Sequence, residues 1–176
     1  MSRQKSTHTT QLRLVSKEGS PCWGKVARKP SRRLLLVDIE NYCGKGSLCL
    51  EDVREAKESI VSELDLHDED FVVIGTSHGN NCLVCGSEWK GPRQVMKHGH
   101  DGADIALVDA SREYRLDTFA SVIIVSGDGI FTDVASIVRA NCIDVTVLSS
   151  REHLSRRLEL VASEVKYVQP RIMPAA

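Results

Sequence analysis

The sequence predicts an α/β domain, a three-layer α/β/α sandwich on a mainly parallel sheet of about five strands. Three observations predict it. Short, continuous apolar runs rich in Val, Ile and Leu recur at residues 34–37, 71–74 and 122–125, and a further β-prone stretch, Asp-Val-Thr-Val-Leu, lies at 144–148. Stretches with apolar residues at three- and four-residue steps lie between them. The runs do not alternate apolar with polar. Strands of that kind are buried on both faces, as in a parallel sheet covered by helices.

Each element has its own reason. Leu34, Leu35, Leu36 and Val37 form the first strand, which ends at Asp38. Leu50, Val53, Ala56, Ile60, Val61 and Leu64 keep helical spacing. Residues 71–75, Phe-Val-Val-Ile-Gly, form the second strand. Gly, Asn and Pro predict a broken stretch over 79–92, and residues 93–96 are a short third strand. Asp101 opens a helix carrying Ala103, Ala106, Leu107 and Ala110. Residues 121–125 are the fourth strand, before a helix with Val134, Ile137 and Val138. Residues 144–148 are the fifth, 153–162 a helix, and 165–168 a last short strand. The domain spans 33–170, between a basic arm at 1–32 and a tail at 171–176.

Composition limits the function classes. The 176 residues suit one domain. At 41% apolar and 27% charged, the chain is neither collagen-like nor disordered throughout. A spanning helix needs about 20 consecutive apolar residues, and none occurs, so no membrane partner is expected. The N-terminus is polar and basic, without the apolar core of a signal peptide. Six scattered cysteines do not form a secreted disulfide framework, so a cytoplasmic location is expected. A homo-oligomer stays open, because no feature reads out an oligomeric state.

The net charge of −1 hides a split. Residues 1–33 carry nine basic side chains and one acid, a net +8, and the rest carries −9. A basic arm on an acidic body is the pattern of a nucleic-acid tether, because phosphate contacts dominate such affinity.

Acidic residues gather where such a sheet holds ligands, beyond the carboxyl ends of its strands near the reversal of strand order. Asp38 ends the first strand and Asp128 follows the fourth, within Ser126-Gly-Asp-Gly129. Asp104 lies in the first turn of the helix after the third strand. With the order 3-2-1-4-5, Asp38 and Asp128 flank the reversal and the crossover helix brings Asp104 over it. Three carboxylates in one cleft need a proton or a cation between them, and Mg²⁺ suits oxygen ligands best. Taken singly, each acid reads more readily as a helix cap or turn residue than as a ligand, and three at equivalent strand ends shift that balance.

These residues carry a family resemblance. Leu35-Leu-Val-Asp-Ile-Glu-Asn41, Gly102-Ala-Asp-Ile-Ala-Leu-Val-Asp109 and Val125-Ser-Gly-Asp-Gly-Ile-Phe131 resemble, in order, the three motifs of the NYN domain. That family belongs to the PIN-like nucleases, and the likeness covers roughly residues 33–150. The resemblance implies a Rossmann-like (PIN-like) sheet and a metal-dependent endoribonuclease acting on RNA, single-stranded by preference, with Mg²⁺ or Mn²⁺. It implies that Asp38, Asp104 and Asp128 are catalytic and hold the metal. Asn41 would contact substrate or support Asp38, and Ser126 would be a phosphate-contacting or supporting hydroxyl. Family members often carry a further acid two residues after the third motif's Asp; here that place is Ile130. Asp133 is the candidate replacement ligand. Lys97, with His98 and His100, and His78 at the end of the second strand are candidate substrate contacts at the rim.

Three rival readings stand beside it. A haloacid-dehalogenase-like phosphatase shares the Gly127-Asp-Gly-Ile-Phe-Thr-Asp133 stretch, but its first motif wants Asp-x-Asp where this chain has Asp38-Ile-Glu40. A zinc module would use Cys82 and Cys85 with His98 and His100, at a spacing that suits no finger, so the pair reads as a loop with two free thiols. A catalytically degenerate NYN domain that binds RNA or protein is the third, supported by Ile130.

Overall fold

A computed structural model describes residues 30–168. The expected arm, except its last residues, and the tail at 171–176 lie outside that range. Six strands form one sheet: β1 (Arg33–Asp38), β2 (Phe71–Thr76), β3 (Arg93–Met96), β4 (Ser121–Val125), β5 (Asp144–Ser149) and β6 (Glu164–Tyr167). Every pairing is parallel, and the order is β3-β2-β1-β4-β5-β6. The helices are α1 (Ile39–Cys43), α2 (Leu50–Leu64), α3 (Gly79–Glu88), α4 (Gly102–Ser111), α5 (Thr132–Ala140) and α6 (Arg156–Val161). This is the expected α/β/α sandwich. The sheet has six strands rather than about five, because the short run near 165–168 does pair with β5.

Alternate residues of β1 feed two separate cores. Leu34 and Leu36 pack with Leu107, Phe131 and Val138, under α4 and α5. Leu35 and Val37 pack with Val53, Ile60 and Trp89, under α2 and α3. All four β1 side chains are buried, each contributing about 1.5–3 kcal/mol of apolar transfer. A strand buried on both faces has no polar position, which is why the run is continuous.

One expectation fails. Residues 79–88 are helical, and the break is confined to the turn before β3. Gly79, Asn80 and Asn81 are poor helix formers, but tertiary burial outweighs propensity here. Asn81 and Cys85, one turn apart, face inward. The Asn81 side chain accepts the Leu48 N–H at 3.0 Å and donates to Glu40 at 2.6 Å and to the Gly46 carbonyl at 3.0 Å. The Cys82–Cys85 pair therefore lies on a helix, not a loop, and both thiols are free.

The opposite edge of the sheet is fixed by Arg33. Its guanidinium pairs with Asp70 and donates to the Leu64 and Asp65 carbonyls at the end of α2. A cation at a helix C-terminus satisfies carbonyls that lack intrahelical partners. The strand order reverses between β1 and β4, which run side by side with α1 and the Ser126–Asp128 loop leaving from their carboxyl ends.

Candidate functional site

A cleft of about 510 Å³ opens at that reversal, lined by Asp38, Asn41, Asp104 and Asp128, with Lys45, His100 and His153 among its margins. Each acid arrives by a different route. Asp38 is the last residue of β1 and the N-cap of α1, its Oδ1 accepting the Asn41 N–H at 3.1 Å. Asp128 caps a 3-10 turn, Gly129–Phe131, its Oδ1 accepting the Ile130 N–H at 2.9 Å. Asp104 caps nothing; the N-cap of α4 is Asp101, and Asp104 sits two residues into the helix. Capping and site geometry are therefore not alternatives. The caps fix two of the carboxylates in the cleft.

The electrostatics centre on one pair. Asp38 is 2% exposed and Asp104 8%, and the two carboxyls lie close enough to shift each other's pKa. Burial, then Asp38 and the more distant Asp128 and Asp101, push Asp104 up to about 8. Burial also raises Asp38, against the stabilising hydrogen bonds from Asp104 and the Asn41 N–H. The N-terminus of α4 favours a carboxylate at Asp104, but that helix contribution is at most about 2 kcal/mol and loses to desolvation and like charge. Both shifts run toward the protonated form. Asp104 Oδ1 is buried without a hydrogen-bond donor.

Close backbone contacts hold the acids in place. A methyl group at Gly102 would overlap the Lys97 carbonyl oxygen, and one at Gly127 would overlap the His153 carbonyl oxygen. Asn41 Oδ1 accepts the Gly127 N–H at 3.2 Å, tying the β1 end to the β4 end. Buried Ser126 accepts the Asp128 N–H at 3.2 Å. Asn41 and Ser126 thus support the site's backbone.

The remaining candidates lie apart from these. Lys97 is paired with Asp109 at 3.2 Å. His78 precedes α3 and its Nε2 meets the Gly46 carbonyl at 2.8 Å. Asp133 lines a different, apolar cavity of about 490 Å³ between α4 and α5. Sequence reasoning missed Glu40 as a structural member of the cleft. Its Oε1 accepts the Ser77 N–H at 2.8 Å as well as the Asn81 amide, locking α1 to the end of β2 and to α3. It also missed Lys45 and His153, which only the folded loops bring to the margin.

Oxygen-only donors and an orphaned buried carboxylate oxygen suit a hard cation in chemistry. The geometry is less complete. Among the described residues, no set of three or more His, Cys, Asp or Glu side chains is arranged to hold a metal ion. The Oδ1 of Asp128 is engaged by its own turn.

No protein-family model and no curated protein matches the sequence. Among solved structures, the chain is similar to a protein of unknown function from Vibrio parahaemolyticus. That likeness has a TM-score of 0.52 at 18% identity, over 81% of this chain and 96% of the other. At that identity it shows a shared fold. Among the described residues, no helix is long and apolar enough to cross a membrane.

Proposed function

We propose that the domain is a nuclease of the NYN, PIN-like class that hydrolyses RNA phosphodiester bonds with the aid of Mg²⁺ or Mn²⁺. One observation carries the reading: two buried carboxyls, Asp38 and Asp104, are pressed together at the strand-order reversal, with one Asp104 oxygen left without a donor. Such an arrangement costs stability, and sites of this kind concentrate where function requires them. Asp38 and Asp104 would hold the cation, and Asp128 would join from the same cleft. The cation supplies charge neutralisation at the phosphate and a more acidic attacking water. The chain's own residues do the rest. Asn41 and Ser126 hold the Asp128 loop, and Glu40 and Asn81 hold the loop that walls the other side.

The test is cleavage of end-labelled single-stranded RNA with Mg²⁺ or Mn²⁺, using Asp38→Asn and Asp128→Asn as controls. Activity lost in both variants supports the reading. Activity that survives both, or no activity in the unaltered protein with either cation, removes it.

A second reading has its own support. Ile130 stands where the family often has an acid, and the three acids do not form a ready metal cage. A domain that binds RNA without cutting it would have both features. The phosphatase reading is weaker, because Glu40 is occupied by the Ser77 N–H and Asn81.

A further inference from the structure

The acidic cleft has a basic neighbour. The β5–α6 loop and the start of α6 carry Arg151, His153, Arg156 and Arg157, all exposed, with Glu152 the exposed acid among them. The body from residue 34 onward carries −9, so this cluster runs against its surroundings. The loop is fastened to the segment that bears Asp128. The Ser155 N–H donates to the Gly127 carbonyl at 2.8 Å, and the His153 backbone presses on Gly127 where any side chain would clash. His153 itself lines the cleft. Basic surface and acidic cleft are therefore one continuous, rigidly joined feature.

The cations differ in their partners. Arg156 meets Glu159 at a loose 3.5 Å. Arg157 makes no ion pair among the described residues. Arg151 makes none either; its guanidinium lies 4.2 Å from the Tyr167 ring centroid on β6. That stacking holds a flat, charged plane at the surface. Exposed guanidiniums beside a stacking plane are the two components that bind single-stranded nucleic acid without reading its sequence.

We infer that the β5–α6 loop is the backbone-binding surface for a single-stranded nucleic acid whose chain enters the acidic cleft. Arg156 and Arg157 contact phosphates, and Arg151, supported by Tyr167, stacks a base. This deepens the nuclease reading and rests on it for the direction in which the strand runs. It also changes the origin of affinity, since the folded domain supplies cations of its own in addition to the arm at 1–32.

The test is fluorescence anisotropy of labelled oligouridylate with the full chain, titrated over a range of salt in buffer containing EDTA. Arg156→Gln with Arg157→Gln is expected to flatten the logarithmic salt slope by about 1.4, at about 0.7 for each lost phosphate contact. Arg151→Lys keeps the charge and loses the plane. It should leave the slope alone and weaken binding roughly fivefold or more. Arg115→Gln, at the opposite edge of the sheet, should change neither. The inference is overturned if the double variant keeps the full slope, if Arg115→Gln flattens it equally, or if polyglutamate of matched charge competes as well as RNA. Failure of the unaltered protein to bind the probe overturns it too. Because EDTA prevents metal-dependent cleavage, this result is independent of the nuclease test. Cleavage can fail while the slope changes as expected, and the reverse.

Discussion

Replacing Asp104 by Asn should stabilise the protein at neutral and alkaline pH while removing its function. The Asp104 carboxyl is raised from 3.8 to about 8, first by burial and then by Asp38. Below about pH 4 the carboxyl is protonated in both folded and unfolded chains, so variant and parent should melt alike. Between about pH 4 and 8 the unfolded chain releases the proton and the folded chain keeps it, so the parent loses stability as pH rises. Asn cannot ionise and escapes that loss. The displacement sets a ceiling of roughly 5–6 kcal/mol at about 1.4 kcal/mol per pH unit. Proton sharing with Asp38 and water in the open cleft should reduce the realised gain to about 1–3 kcal/mol. For a domain of this size that is a rise in Tm of about 3–10 °C at pH 8 to 9. Thermal melts of both proteins from pH 4 to 9 measure it. At pH 8, Mn²⁺ should raise the Tm of the parent by mass action and leave the variant nearly unmoved. Parallel melting curves, or a variant less stable at alkaline pH, would refute the argument that this pair is repulsive.

Three further outcomes are expected. Gly102→Ala and Gly127→Ala should each cost about 1–3 kcal/mol by overpacking against a carbonyl, and should displace Asp104 or Asp128; urea unfolding reads the cost. Arg33→Ala should cost about 3–5 kcal/mol, because it strands Asp70, whose side chain is only 2% exposed. Burial works against the charged form of Asp70, but Arg33 and the His67 N–H outweigh it and hold its pKa low, so this contribution should be present above about pH 4 and fade below it. A chain starting at Ser31 should bind RNA with a shallower salt slope, with turnover at saturating RNA little changed, as anisotropy and single-turnover cleavage would report.

Much of this was legible in the sequence, for definite reasons. A strand buried on both faces must be apolar throughout, so β1, β2 and β4 announce themselves, and their continuity dictates parallel pairing under helices. Strand ends are then fixed, which places Asp38 and Asp128 at one edge before any coordinates exist. Tertiary structure decided what depends on contacts between distant segments. The helix at Gly79–Glu88 forms against its propensity because Asn81 finds partners about 35 to 41 residues away. Asp133 faces the cavity between α4 and α5 because of the phase of its helix. Glu40, on α1, and Lys45, on the loop that follows, belong to the cleft because of contacts to distant segments, Glu40 to the Ser77 N–H beyond β2 and Lys45 to Asp52 on α2. The contact between Asp38 and Asp104 is of the same kind. Sequence places each acid on its element, but whether two carboxyls touch or merely share an edge is settled by packing, and packing also decides whether they share a proton.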